Sequence, residues 1–166
     1  MRNWGIIAVG LLAACSSEAP PSDAPAEAAK SLMPGEYAMT STVTAFRATD
    51  GTTPASKAKV GDLAVTKACV APDGTLDPAI FAAIGEKCSA TNAYIRGGRM
   101  SLQLSCTRPD VPGQIMPGVD GTFTADHFEG TSTTTTYLTG PGDYALTRTI
   151  TAKRVGDCPP AAPAKS

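Results

Sequence analysis

The sequence predicts an all-β domain: a single antiparallel, mostly up-and-down curled sheet or small barrel of about seven strands, with one short helix between strands two and three. Three observations lead there. The 166-residue chain is only 17% charged and 5% aromatic but holds 16 Gly and 14 Pro, a turn-rich composition that suits short strands better than a helix bundle. Apolar and polar residues alternate in successive runs, which places every second side chain on one face. A helix start, Asp77-Pro78, interrupts these runs once.

Pro34-Gly35 opens a run from Glu36 to Arg47, in which Tyr37, Met39 and Val43 share one face and Thr40, Thr42 and Thr44 the other. Asp50 to Pro54 reads as a turn, and Lys59 to Val70 as the second strand, with Leu63, Val65, Lys67 and Cys69 in phase. After Asp73-Gly74, Asp77 as N-cap and Pro78 as first helical residue start the helix, and Gly85 stops it. Cys88–Arg96 and Arg99–Cys106 flank Gly97-Gly98 as a hairpin, whose return strand turns Met100, Leu102, Leu104 and Cys106 inward. Pro109, Pro112-Gly113 and Pro117-Gly118 predict an irregular link. Val119–Thr124 and the Thr-rich His127–Leu138 follow, separated by a turn at Asp126. Gly140 to Asp143 is the next turn, and Tyr144–Val155 the last strand.

The N-terminus carries a different message. Met1 to Trp4 holds one basic side chain, and Gly5 to Ala14 is uncharged. Such a stretch rises only about 15 Å as a helix, half of a bilayer core, and reads as a secretory leader rather than a membrane span. It ends in Leu12-Ala13-Ala14-Cys15, which resembles the bacterial lipobox. That resemblance implies that residues 1–14 are removed as a lipoprotein signal peptide. Cys15 would carry a diacylglycerol on its thiol and an acyl chain such as palmitate on its new amine, enough for stable anchoring. Ser16, rather than Asp, after Cys15 favours the outer membrane, with the domain facing the periplasm. Residues 15–31 are read as the lipidated Cys and a disordered Ala/Pro/Ser tether, 32–159 as the β domain, and 160–166 as a disordered tail.

Five Cys therefore divide into one and four. Outside the cytoplasm Cys69, Cys88, Cys106 and Cys158 are expected as disulfides. Zinc is disfavoured because no two of them have knuckle spacing. A three-residue hairpin loop at Arg96–Gly98 sets position 88 opposite position 106, a pair that can be bridged, and leaves Cys69 for Cys158.

These residues resemble a family of small proteobacterial exported proteins and lipoproteins, known as domain of unknown function 3617. The matching pieces are Pro34-Gly35-Glu36-Tyr37, the Cys69 strand end before an Asp-Pro helix, and Cys88 leading into the Gly-Gly hairpin and Cys106. Phe128-Glu129-Gly130-Thr131 and the closing Lys153-Arg154-Val155-Gly156-Asp157-Cys158-Pro159 complete them. Ala38 and the Thr run of the sixth strand depart from the family's usual residues. The resemblance implies an exported four-Cys all-β domain and brings no activity with it.

Catalytic chemistry is not apparent. His127 is the one His; it shares a strand face with Glu129 and adjoins Asp126, and reads as an exposed turn residue. No nucleophile elbow, P-loop or dinucleotide fingerprint is present, so neither an enzyme nor a cofactor is expected. The balance of 14 Lys+Arg against 15 Asp+Glu disfavours nucleic acid as a partner. Arg148 stands out: with Tyr144 it lies on an otherwise largely apolar face of the last strand. There it either meets an anionic head group at a barrel mouth, flips the phase through a bulge, or snorkels to water. Lys67 carries the same ambiguity. The expected function is an envelope lipoprotein that binds a small apolar or amphiphilic ligand, or an envelope protein partner. The alternative is a structural or assembly accessory of the outer membrane without a pocket. An apolar cavity of roughly 300 Å³ or more beside Arg148 favours a ligand, and a filled interior favours a partner.

Overall fold

The structure, a computed structural model, describes residues 29–73 and 75–160. The expected signal peptide, Cys15, the expected tether up to residue 28 and the expected tail beyond residue 160 lie outside the described residues. Seven strands form one antiparallel sheet: β1 (Gly35–Ala48), β2 (Leu63–Val70), β3 (Lys87–Arg96), β4 (Arg99–Arg108), β5 (Val111–Phe123), β6 (His127–Leu138) and β7 (Tyr144–Gly156). Their order is β2-β1-β7-β6-β5-β4-β3, so the first and last strands pair in the middle and β2 and β3 are the two edges. Among the described residues no ladder joins β2 to β3, and the sheet is a curled half-barrel. The connection from β2 to β3 therefore has to pass from one edge to the other. It carries a single 3-10 turn, η1 (Pro78–Phe81), which packs against both edge strands and plugs the open seam.

The expected helix from Pro78 towards Gly85 is thus corrected to one turn. Its start is as read: Asp77 accepts a hydrogen bond from the Ala79 amide, with Pro78 next to it. It ends at Phe81 because Ala82 is already extended, and Gly85, with φ of 86°, serves the following turn instead. So short a segment cannot offset the cost of helix nucleation, and Ile80 and Phe81 are held by burial rather than by helical hydrogen bonds.

Three strand readings also change. β2 starts at Leu63, not Lys59, and its phase is reversed: Ala64, Thr66, Ala68 and Val70 turn inward, while Leu63 and Val65 are each 64% exposed. The cause is the cysteine. Cys69 stands opposite Glu36 on the outer face, where it reaches Cys158, and its phase carries Leu63 and Val65 outward with it. β5 begins at Val111, through the Pro-rich stretch read as an irregular link. Only Pro109-Asp110 is the turn, and the ladder to β4 is unpaired around Pro117, where the amide hydrogen is missing. In the β3–β4 hairpin the loop has two residues, with Arg96 opposite Arg99, rather than three. A bulge at Thr91 then shifts the register by one and brings Cys88 opposite Cys106 after all.

The concave face holds the core: Tyr37, Met100, Leu104, Ile115, Val119, Phe128 and Ile150 are buried, each large side chain worth about 1.5–3 kcal/mol. Apolar packing is broken at one level. Val43, Tyr144 and Leu146, with Phe46 and Ala58, form a second cluster separate from the main one. On β7 the residue between Leu146 and Ile150 that faces the same way is Arg148.

Candidate functional site

At this break lies a cavity of about 510 Å³. β1 and β7 form its wall with Met39, Val43, Tyr144, Leu146, Arg148 and Ile150, η1 and the residues after it cover it, and Ser56 to Ala58 close one side. The volume falls within the range of small-molecule sites, about 300–1,000 Å³. Lys57, Asp62, Leu63, Thr66 and Ile84 line it from exposed positions, so the mouth is mixed, with Leu63 and Ile84, the latter 84% exposed, as its apolar part.

Arg148 keeps the phase of its strand. The bulge that sequence reading allowed here exists, but on the neighbouring strand at Thr44, between the pairs Val43↔Arg148 and Ala45↔Thr147. Nor does the side chain snorkel: only 7% of the residue is exposed. Its Nη2 donates to the Phe81 carbonyl at 2.9 Å, fastening η1 over the cavity. Its Nε is buried and has no acceptor, and neither has the Oγ of Ser132, which stands directly opposite on β6. Burial pushes the guanidinium below its ordinary basicity, and the nearby Glu86 carboxylate offsets part of this. No carboxylate forms an ion pair with Arg148 among the described residues. Glu86 instead accepts from the Ala83 amide at 2.9 Å. Burial raises the Tyr144 phenol above its usual value.

A polar tie fixes the side of the cavity. Asp50 accepts from the amides of Gly142 at 2.7 Å and Asp143 at 3.1 Å with one oxygen, and from Thr52 at 2.9 Å with the other. The Ala55 amide donates to Gly142 at 2.9 Å, so residues 55–58 are drawn against the β6–β7 turn. The amide donors, chiefly Thr52 and Gly142, hold the Asp50 carboxyl well below the usual carboxylate range. A carboxyl depressed by folding stabilises above its unfolded value and loses that contribution as pH falls towards its folded one. Asp50→Asn is therefore expected to be less stable at neutral pH and to show a shallower stability loss below about pH 4. Acid titrations followed by circular dichroism check this, and parallel curves for the two proteins would refute it.

The other residues singled out by sequence fall as follows. Cys88–Cys106 is a disulfide with Cα atoms 4.0 Å apart, set in the core, and Cys69–Cys158 is one with Cα atoms 5.7 Å apart. The carboxylate of Glu86 lies near both Cys88 and Cys106, but their sulfurs are bonded to each other and offer no thiolate to a metal. Lys67 points outward and pairs with Glu36 at 2.9 Å. His127 starts β6, its carbonyl accepting from Thr124, away from the cavity. Glu86, Phe81 and Arg108 were not found by sequence reading. Their placement depends on the seam-crossing connection and on Arg108 reaching the Ala55 carbonyl, neither of which has a periodic signal.

The sequence model of a family described as "Protein of unknown function (DUF3617)" matches residues 32–158. No curated protein matches the chain, and no solved structure does.

Proposed function

The chain belongs to the DUF3617 family of proteins of unknown function, and from that premise we propose that it is a lipid-anchored envelope protein whose β domain holds a small amphiphilic ligand. The observation that carries this reading is the cavity of about 510 Å³, apolar in most of its walls and containing a buried arginine. Apolar walls with a few placed polar groups are the usual make-up of a small-molecule site. The anchoring part draws on Leu12-Ala13-Ala14-Cys15, and two disulfides suit an oxidising compartment. We read the role as binding rather than catalysis: among the described residues no acid, base and nucleophile are hydrogen-bonded to one another at the cavity. A second reading is an envelope protein that docks on edge strand β2; the outward Leu63 and Val65 favour it.

Native mass spectrometry of full-length protein extracted from its own envelope tests both parts. The expected spectrum is a chain starting at an acylated Cys15 that releases a small amphiphile on activation. An unmodified chain refutes the anchor. A chain that carries a polypeptide and no small molecule favours the β2 reading.

A further inference from the structure

We propose that the ligand is an amphiphilic monocarboxylate, its carboxylate accepting from the guanidinium of Arg148 and its hydrocarbon chain running towards Leu63 and Ile84. This rests on the binding reading above and names the ligand class for the same cavity. The starting point is an imbalance. A guanidinium is always charged, and a buried charge is costly unless it is paired and hydrogen-bonded. Arg148 is 7% exposed, spends one nitrogen on the Phe81 carbonyl, and leaves Nε without an acceptor. The fold thus buries a cation without an ion-pair partner among the described residues, beside a space large enough for an anion to enter.

The chemistry of that anion follows from its surroundings. The planar guanidinium fork suits a carboxylate, which offers two oxygens in one plane. Two carboxylates, Asp62 and Glu86, line the same cavity, and their field opposes a doubly charged head group. The other cations there are committed or outside: Arg108 is paired with Asp110 at 2.9 Å, and Lys57 is exposed. Arg148 is thus the buried cation that no carboxylate pairs among the described residues, and a single negative charge suits it. Around it, the side chains of Met39, Val43, Ile80, Phe81, Leu146 and Ile150 are apolar, and apolar Leu63 and Ile84 stand where a chain would leave.

The test is calorimetric titration of the full-length protein at neutral pH with dodecanoate, dodecanol and dodecyl phosphate. Dodecanoate is expected to bind about tenfold to a hundredfold more tightly than dodecanol, as one charge-assisted hydrogen-bonded contact implies. Arg148→Met should abolish that preference; because it also removes the bond to the Phe81 carbonyl, the readout is the ratio of dodecanoate to dodecanol affinity within the variant, which should fall to about one. Arg148→Lys, which keeps the charge and loses the fork, should retain part of the preference and serves if the Met variant does not fold. Equal affinity for dodecanoate and dodecanol in the parent overturns the proposal but leaves the binding reading standing. So does a preference that survives Arg148→Met and disappears in Lys57→Met, since that puts the head group at the mouth. Tightest binding of dodecyl phosphate overturns it in favour of a dianion. Failure of all three to bind overturns both readings.

Discussion

Replacing Cys69 and Cys158 together by Ala will lower the free energy of unfolding by about 4.5 kcal/mol, whereas the Cys88/Cys106 pair will lower it by about 3. The difference comes from the loops that the bonds close, with sequence separations of 89 and 18, because a longer loop costs the unfolded chain more entropy when it is tied. The longer bridge also has a place in the sheet that the shorter one lacks. Glu36 of β1 faces Cys69 on one side and Gly156 on the other, so the bond to Cys158 straps edge strand β2 across β1 to the end of β7. β2 provides Leu63, Ala64 and Thr66 to the cavity. Its release should therefore weaken ligand binding before the domain unfolds, while opening the hairpin at the far edge should not. Urea unfolding of the two double variants under non-reducing conditions measures the first effect. Equal losses, or a greater loss for the hairpin pair, would contradict the loop argument.

The strands were legible wherever one face is buried and the other wet. β4, with Met100, Leu102, Leu104 and Cys106 inward, is the clearest case, and β1 and β7 were close to their observed bounds. Periodicity misleads where a strand sits at the edge. On β2 the larger apolar residues, Leu63 and Val65, mark the outer face, and small Ala64 and Ala68 mark the inner one, against which η1 packs. The cysteine pairing was right for a reason that was half right. A residue of offset assigned to the hairpin loop belongs to the bulge at Thr91, and both arrangements put position 88 opposite position 106. Arg148 was visible as an anomaly in an apolar face, but its partner was not. Phe81 is 67 residues away in sequence and offers a backbone carbonyl, which no side-chain pattern announces.

Phe128→Ala should cost about 3–5 kcal/mol, the usual range for emptying a buried aromatic site, and here the void cannot readily close. The ring lies over Gly121 and Gly130, which stand directly opposite each other on β5 and β6; a Cβ on either would come within 2.7 Å of it. The glycine pair itself offers no side chain to fill the space, and Met100 and Ile150, which flank it on β4 and β7, are already buried in the core. The second consequence is at the cavity. Phe128 meets Phe81 edge to face, with ring centroids 5.6 Å apart, and such a pair is worth about 0.5–1.5 kcal/mol beyond its burial. Phe81 also gives its carbonyl to Arg148, so η1 is held at two points, one apolar and one polar. Removing the apolar one should loosen η1 more than the strands around it. Hydrogen exchange at the Ile80 and Ala82 amides, bonded to the Asp77 and Ala79 carbonyls, should then accelerate beyond what the global loss of stability explains. If exchange at these amides rises only in step with global unfolding, the Arg148 bond alone keeps the seam plugged, and Phe128 acts on the core without acting on the cavity.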